Sequence, residues 1–130
     1  MKIVFTNGCF DLLHRGHLEL LKFCSSQGDR VVVGINSDKS IKKIKGNDRP
    51  FRDQHDRKFL LESLVFVDEV IIFDEETPYN LIKCVKPDII VKGGDYSVEE
   101  VVGNDLAKVV IFELLNGYST TQTIQDIIDR

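Results

Sequence analysis

One hundred and thirty residues suffice for one domain with a buried core, and 42% hydrophobic with 29% charged side chains is an ordinary globular mix. A net charge of −4 argues against a chain that coats nucleic acid, and no apolar run approaches the length of a bilayer span. The charge is uneven: residues 1–65 carry 12 basic and 8 acidic side chains, residues 66–130 carry 5 and 13, so an anion would be drawn to the first half.

In chain order, the apolar β-branched residues 3–6 read as a buried strand that starts too close to Met1 to leave room for a signal peptide. From Gly16, the residues His17, Leu20, Leu21 and Cys24 share one helical face, and Gly28 sits where a helix C-cap belongs. Residues 30–35 form the next strand. A basic loop over residues 36–57 leads into a helix that begins near Asp53 and is marked by Leu60, Leu61, Leu64 and Val65. Strand residues 69–73 follow, and Thr77-Pro78 starts a helix that reaches Val85. Strands over residues 88–92 and 108–112 flank a short helical piece, and Ile124, Ile127 and Ile128 define a last helix opened by a Ser119/Gln122 capping box. Alternating strands and helices of this kind predict one α/β domain over residues 1–130, a doubly wound, Rossmann-like, five-stranded parallel sheet. Ligands of such sheets sit at the C-terminal strand ends, where the strand order reverses. Cys9, Cys24 and Cys84 cannot all pair and show no CxxC spacing, which suits a reducing cytoplasm.

The loop after the first strand is neither a GxGxxG fingerprint nor a P-loop. Gly8 lets backbone approach a ligand, Gly16 opens a helix whose free N–H groups favour an anion, and His14 and His17 stand together there. Two such donors suit a phosphoryl group that gains charge during transfer. Cys9, His14 and His17 also have the chemistry of zinc ligands, although their spacing matches no familiar zinc site. Asp11 is assigned to the substrate, with metal binding or bracing of its own turn as alternatives.

Residues Gly8-Cys9-Phe10-Asp11-Leu12-Leu13-His14-Arg15-Gly16-His17 resemble the GxFDxxHxGH signature of the nucleotidyltransferase α/β-phosphodiesterase superfamily, in its cytidylyltransferase-like branch. The resemblance implies that His14 and His17 stabilise the transition state at the α-phosphorus. It also implies that Thr6, Asn7, Gly8, Cys9, Phe10, Gly16 and His17 hold a nucleoside triphosphate carrying Mg²⁺, and that the chain works as a homodimer.

Eight basic residues and three acids lie between Lys39 and Lys58, the makings of a mobile polyphosphate clamp. Lys39, Lys42 and Lys43 read as surface charges. Lys45-Gly46-x-x-Arg49-Pro50 with Arg57 resembles the KGxxRP…R pattern of sugar-phosphate nucleotidyltransferases. That likeness implies Lys45 as a catalytic contact to the acceptor phosphate, Arg49 at the substrate, and Arg57 at a phosphate or at the loop itself.

Later, Lys92-Gly93-Gly94-Asp95-Tyr96 offers backbone approach at Gly93, an acceptor at Asp95 for the nucleotide, and Lys92 and Tyr96 for the substrate; a tight turn explains the glycines equally. Ser119-Thr120-Thr121 resembles an IST[ST] motif that holds nucleotide phosphates. With Asn36-Ser37-Asp38 and Thr77-Pro78, these stretches are similar to the heptose 1-phosphate adenylyltransferases, in a free-standing form. Those enzymes make ADP-heptose from ATP. Glycerol-3-phosphate cytidylyltransferases, which use CTP and an alditol phosphate, are the rival; their Arg-Thr-x-Gly is Leu114-Leu115-Asn116-Gly117 here. A non-catalytic nucleotide sensor on the same fold is the alternative of another class. Neither nucleic acid nor membrane is an expected partner.

Overall fold

A computed structural model describes residues 1–94 and 96–113. The expected last helix and the predicted contacts Asp95, Ser119, Thr120 and Thr121 lie outside the described residues.

Short Val/Ile runs become five parallel strands: β1 (Ile3–Gly8), β2 (Arg30–Asn36), β3 (Glu69–Phe73), β4 (Ile89–Gly93) and β5 (Lys108–Phe112). Their order in the sheet is β3-β2-β1-β4-β5, so the winding reverses between β1 and β4. Alternation along each strand feeds two cores. Val4, Val31, Val33, Ile35 and Val91 pack with Leu20, Leu21 and Cys24 of α1 (Arg15–Gln27) and Leu61 of α3 (Gln54–Glu62). On the opposite face Phe5, Val32 and Ile90 pack with Ile82 of α4 (Tyr79–Val85) and with Val101, just after a 3₁₀ turn at Val98–Glu100. Burying each of these aliphatic side chains is worth about 1.5–3 kcal/mol. Aspartates pin the N-terminal strand ends: Asp29 accepts from the Lys2 N–H at 2.7 Å, Asp88 from Ile3 at 2.8 Å and Asp68 from Val31 at 2.7 Å. The C-terminal ends are left to the loops that carry the unusual residues.

Three expectations need correction. The basic segment is not all loop: Asp38–Lys45 forms α2, with Ser37 Oγ accepting from the Ser40 N–H at 3.1 Å, an acid in the first turn and three lysines in the last. Helix α3 stops at Glu62, and Val65 is 88% exposed rather than part of the helical core face. Thr77 does not cap α4; Pro78 occupies the N-cap and makes no side-chain capping bond. Gly28 is the C-cap of α1, as expected, with an extended backbone (φ −167°). Its need for glycine is close approach, because a Cβ there would stand 2.7 Å from Val4 Cγ2 and 2.8 Å from the Lys2 carbonyl oxygen.

Candidate active site

β1 ends at Gly8 directly beneath Phe10, whose ring leaves little room there: a Cβ on Gly8 would meet it at 3.1 Å. Phe10 itself adopts φ +48°, a conformation that costs a non-glycine residue energy, and folds the loop back onto the start of α1. There the two imidazoles replace the usual side chains of a capping box. His14 is the N-cap and its Nδ1 accepts the Gly16 N–H at 3.1 Å, while His17 Nδ1 accepts the His14 N–H at 3.3 Å. The rings stack with centroids 3.8 Å apart.

These bonds fix the chemistry of both rings. A neutral imidazole that accepts at Nδ1 carries its proton on Nε2. Burial lowers the pKa of His14, and burial, then the charges of His14 and Lys45, hold that of His17 down at about 4. At neutral pH the pair is therefore uncharged, two Nε2–H donors at a helix N-terminus. Lys45, the exposed last residue of α2, lies close enough for its charge to act on His17.

Asp11 is fully buried. It accepts the Phe51 N–H at 2.8 Å, the Arg52 N–H at 3.0 Å and Arg49 Nε at 3.0 Å, and so ties the histidine loop to a segment some forty positions away. Burial alone would raise its pKa, but the Arg52 and Phe51 amides and the Arg49 guanidinium outweigh burial and lower it. Asp11 therefore braces the loop, over long range rather than within its own turn. Arg49 keeps one arm back: its Nη2 is buried without a hydrogen-bond partner among the described residues.

For Arg57 the structure shows the second of its two expected roles, contact with the loop. Only 1% exposed, its guanidinium donates to the Cys9 carbonyl (2.9 Å), the Asn36 carbonyl (2.7 Å), the Arg52 carbonyl (3.0 Å) and Asp38 Oδ1 (2.8 Å). The side chains of Thr6 (0% exposed) and Phe10 (5%) are buried.

Sequence reasoning missed the polar group beneath the site. Asn36 Nδ2 donates to Ser40 Oγ at 3.0 Å, and Ser40 Oγ donates to the Glu75 carbonyl at 3.1 Å. Cys9 Sγ faces Asn36 Oδ1 at 3.8 Å. The signal was the Asn36-Ser37-Asp38 run, whose three side chains bond Ser40, cap α2 and hold Arg57. Cys9 is turned to Asn36 and both Nδ1 atoms are taken, and among the described residues no cluster of three or more His, Cys, Asp or Glu is placed to hold an ion.

Across the switch point, Asn7 and Lys92 border a common cleft with Tyr96, and Gly93 ends β4 half-buried. Burial lowers the pKa of Lys92, against the opposing pull of Cys9, and its ammonium lies 5.2 Å from the Tyr96 ring centroid. The structure therefore brings together His14, His17, Gly8, Gly16 and Lys45 around the start of α1, with Asn7, Lys92 and Tyr96 beside them.

Residues 5–126 match the Cytidylyltransferase-like family. The chain belongs to that family. Among curated relatives, the bifunctional protein HldE of a Nitratiruptor species is 56% identical over 125 residues, and that of Helicobacter pylori (strain HPAG1) 54% over 127. The match covers 95% and 97% of this chain but only 27% of either relative. Among solved structures, the lipopolysaccharide core biosynthesis protein from Thermoplasma volcanium is 31% identical, with a TM-score of 0.74 over 92% of this chain and 99% of that one. A pantoate-beta-alanine ligase from Francisella tularensis shares the fold at 16% identity and a TM-score of 0.64, over 99% of this chain and 72% of that one. As a cytidylyltransferase-like chain, it has the doubly wound sheet and the paired histidines where the family signature predicts them. No helix among the described residues is long and apolar enough to cross a membrane.

Proposed function

We propose that the chain transfers the adenylyl group of ATP to a sugar 1-phosphate, heptose 1-phosphate by its resemblance, giving ADP-heptose and pyrophosphate. An oxygen of the sugar phosphate attacks the α-phosphorus in line, the new P–O bond forms, and the bond to the bridging α–β oxygen breaks as pyrophosphate departs with its electron pair. No base has to deprotonate the nucleophile, because a phosphate monoester is largely ionised near neutral pH. The protein supplies position and charge complementarity.

The observation that carries this reading is the neutral, stacked His14/His17 pair with both Nδ1 atoms occupied by backbone N–H groups. Its Nε2–H donors suit the equatorial oxygens, which gain charge as the α-phosphorus becomes pentacoordinate, at about 3 kcal/mol per donor. Lys45 and the remaining arm of Arg49 would steer the acceptor phosphate. The Gly8 and Gly16 backbone would lie along the triphosphate, with Gly93, Asp95, Ser119, Thr120 and Thr121 on the nucleotide. Magnesium would come with the ATP phosphates and would supply charge to offset that on the leaving pyrophosphate. The resemblance of Lys45–Pro50 and Lys92–Tyr96 to heptose enzymes supports the sugar, as does the 31% identity to a lipopolysaccharide core biosynthesis protein.

The test is pyrophosphate release across a panel that crosses ATP and CTP with heptose 1-phosphate, glycerol 3-phosphate and an alditol phosphate. Release with ATP and heptose 1-phosphate is expected. Release confined to CTP with glycerol or alditol phosphate overturns the reading, and nucleotide binding without release makes the chain a sensor.

A further inference from the structure

Asp11 and Arg49 meet where the histidine loop touches the basic segment, Asp11 three residues before His14 and Arg49 four after Lys45. A free carboxylate takes an arginine fork-on, through two parallel N–H···O bonds. This carboxylate has little room for that. Its Oδ1 accepts the N–H groups of Phe51 at 2.8 Å and Arg52 at 3.0 Å, and its Oδ2 accepts Phe51 again at 3.0 Å beside Arg49 Nε at 3.0 Å. Contacts of that number fill the acceptor sites of a carboxylate. The guanidinium is thus held side-on, at its inner nitrogen.

The rest of Arg49 is pinned as well. Its N–H donates to the Gly46 carbonyl at 3.3 Å, and its own carbonyl accepts Lys42 Nζ at 3.2 Å. The centroid of the Phe51 ring lies 5.5 Å from its Cζ. The side chain is mostly buried, yet Nη2 has no hydrogen-bond partner among the described residues. A buried cationic donor left open is costly, and one that is fixed on its other sides without being paired suits an incoming anion. A phosphate monoester has the oxygens to accept from it, and Lys45, at the end of α2 just before this turn, adds charge of the required sign. The lowered pKa of Asp11 keeps its half of the ion pair charged at neutral pH.

We propose that Asp11 is a positioning residue: by holding Arg49 at Nε it presents the Nη2 arm to the phosphate of the acceptor, and its bonds to the Phe51 and Arg52 amides fix that arm relative to the histidines. Asp11 touches no reacting atom and acts through Arg49. The inference rests on the sugar-phosphate reading above and adds the group that makes the arm available.

Arg49→Lys is the first test, because it keeps the charge and loses the fork. A lysine ammonium can meet Asp11 or the phosphate but not both, so the KM for heptose 1-phosphate should rise about tenfold while the KM for ATP stays within about twofold. A wild-type KM for the sugar phosphate in this variant overturns the proposal. Chemical rescue then isolates Asp11. Methylguanidinium added to Arg49→Ala should recover about tenfold in kcat/KM, and Asp11→Asn in the same background, with its KM for ATP unchanged, should abolish the recovery. Equal recovery without the carboxylate overturns the proposal. A third readout needs no turnover. In nitrogen NMR of the arginine side chains, inorganic phosphate should shift the Arg49 Nη signals of the wild type and leave those of Asp11→Asn unmoved. If no sugar phosphate is converted but this Asp11-dependent response remains, the catalytic reading falls and the positioning stands. If the wild type makes product and Arg49→Lys makes it equally well, the positioning falls and the catalytic reading stands.

Discussion

The histidine loop and the basic segment lie side by side at the same end of the sheet, yet they use their polar residues in opposite ways. In the loop from Gly8 to His17, the chemistry is local: His14 and His17 complete each other's hydrogen bonds within one turn of helix. In the stretch from Asn36 to Arg57, the charges that look most like a ligand clamp turn inward or stay on the surface. Arg57 binds three carbonyls and Asp38, and half of Arg49 is committed to Asp11. A spacing motif that closes on itself can be read from sequence. A run of charge cannot, because its meaning depends on which distant group it meets.

The severest test of that contrast is Arg57→Met. Removing the guanidinium leaves Asp38 and three carbonyls, that of Asn36 buried, without their donor, and the loss should be on the order of 3–5 kcal/mol in denaturant unfolding. A loss confined to substrate affinity, with stability intact, would return Arg57 to the role of a phosphate ligand.

His17→Ala tests the other region and should do the reverse. Turnover should fall by about 10²–10³-fold, with ATP affinity little changed, since the donor matters most where charge develops. A variant that keeps most of its kcat would remove the histidines from the mechanism.

pH separates the two regions again. Because His17 is held at about 4, kcat should show no inflection near 6.5, the ordinary histidine value. For stability the sign follows from proton binding: between 6.5 and about 4 the unfolded chain binds a proton at this position that the native chain does not, so stability declines as pH falls through that window. Asp11 acts lower down. Its folded pKa is depressed below 3.8, so its contribution is complete above that value and is lost as pH drops beneath it. His17→Gln should flatten the first decline and Asp11→Asn the second, each followed by thermal unfolding across pH.

The strands were legible because their runs of Val and Ile have no other use, and α1 because Leu20, Leu21 and Cys24 fall on one buried face. Helix α2 was hidden: only Ser40 and Ile41 are buried, so its lysines drown the periodicity that betrays a helix, and its real signals are the Ser37 cap and the placement of Asp38 and the lysines at opposite ends. For Asp11 and Arg57 the inward role could be read only as one alternative beside ligand binding, for a different reason. Each is defined by partners between 19 and 48 positions away (apart from Arg52, five from Arg57), and nothing in local composition distinguishes an arginine that binds carbonyls from one that binds phosphate.

The finest test stays inside the basic segment, where α2 carries lysines of two kinds. Lys45 ends the helix and its charge reaches His17, whereas Lys42 donates to the Arg49 carbonyl at 3.2 Å and Lys43 is exposed on the surface. A field of several like charges steers any anion, but only a charge near the reacting phosphorus stabilises what forms there. Lys43→Gln should therefore change kcat/KM by less than about twofold at physiological salt, with most of that change erased by higher salt. Lys45→Gln should lower kcat/KM at least tenfold or so, with a loss that persists when salt is raised. Equal effects at the two positions would mean that the segment acts as a diffuse field after all, and that its resemblance to a built phosphate contact is only one of composition.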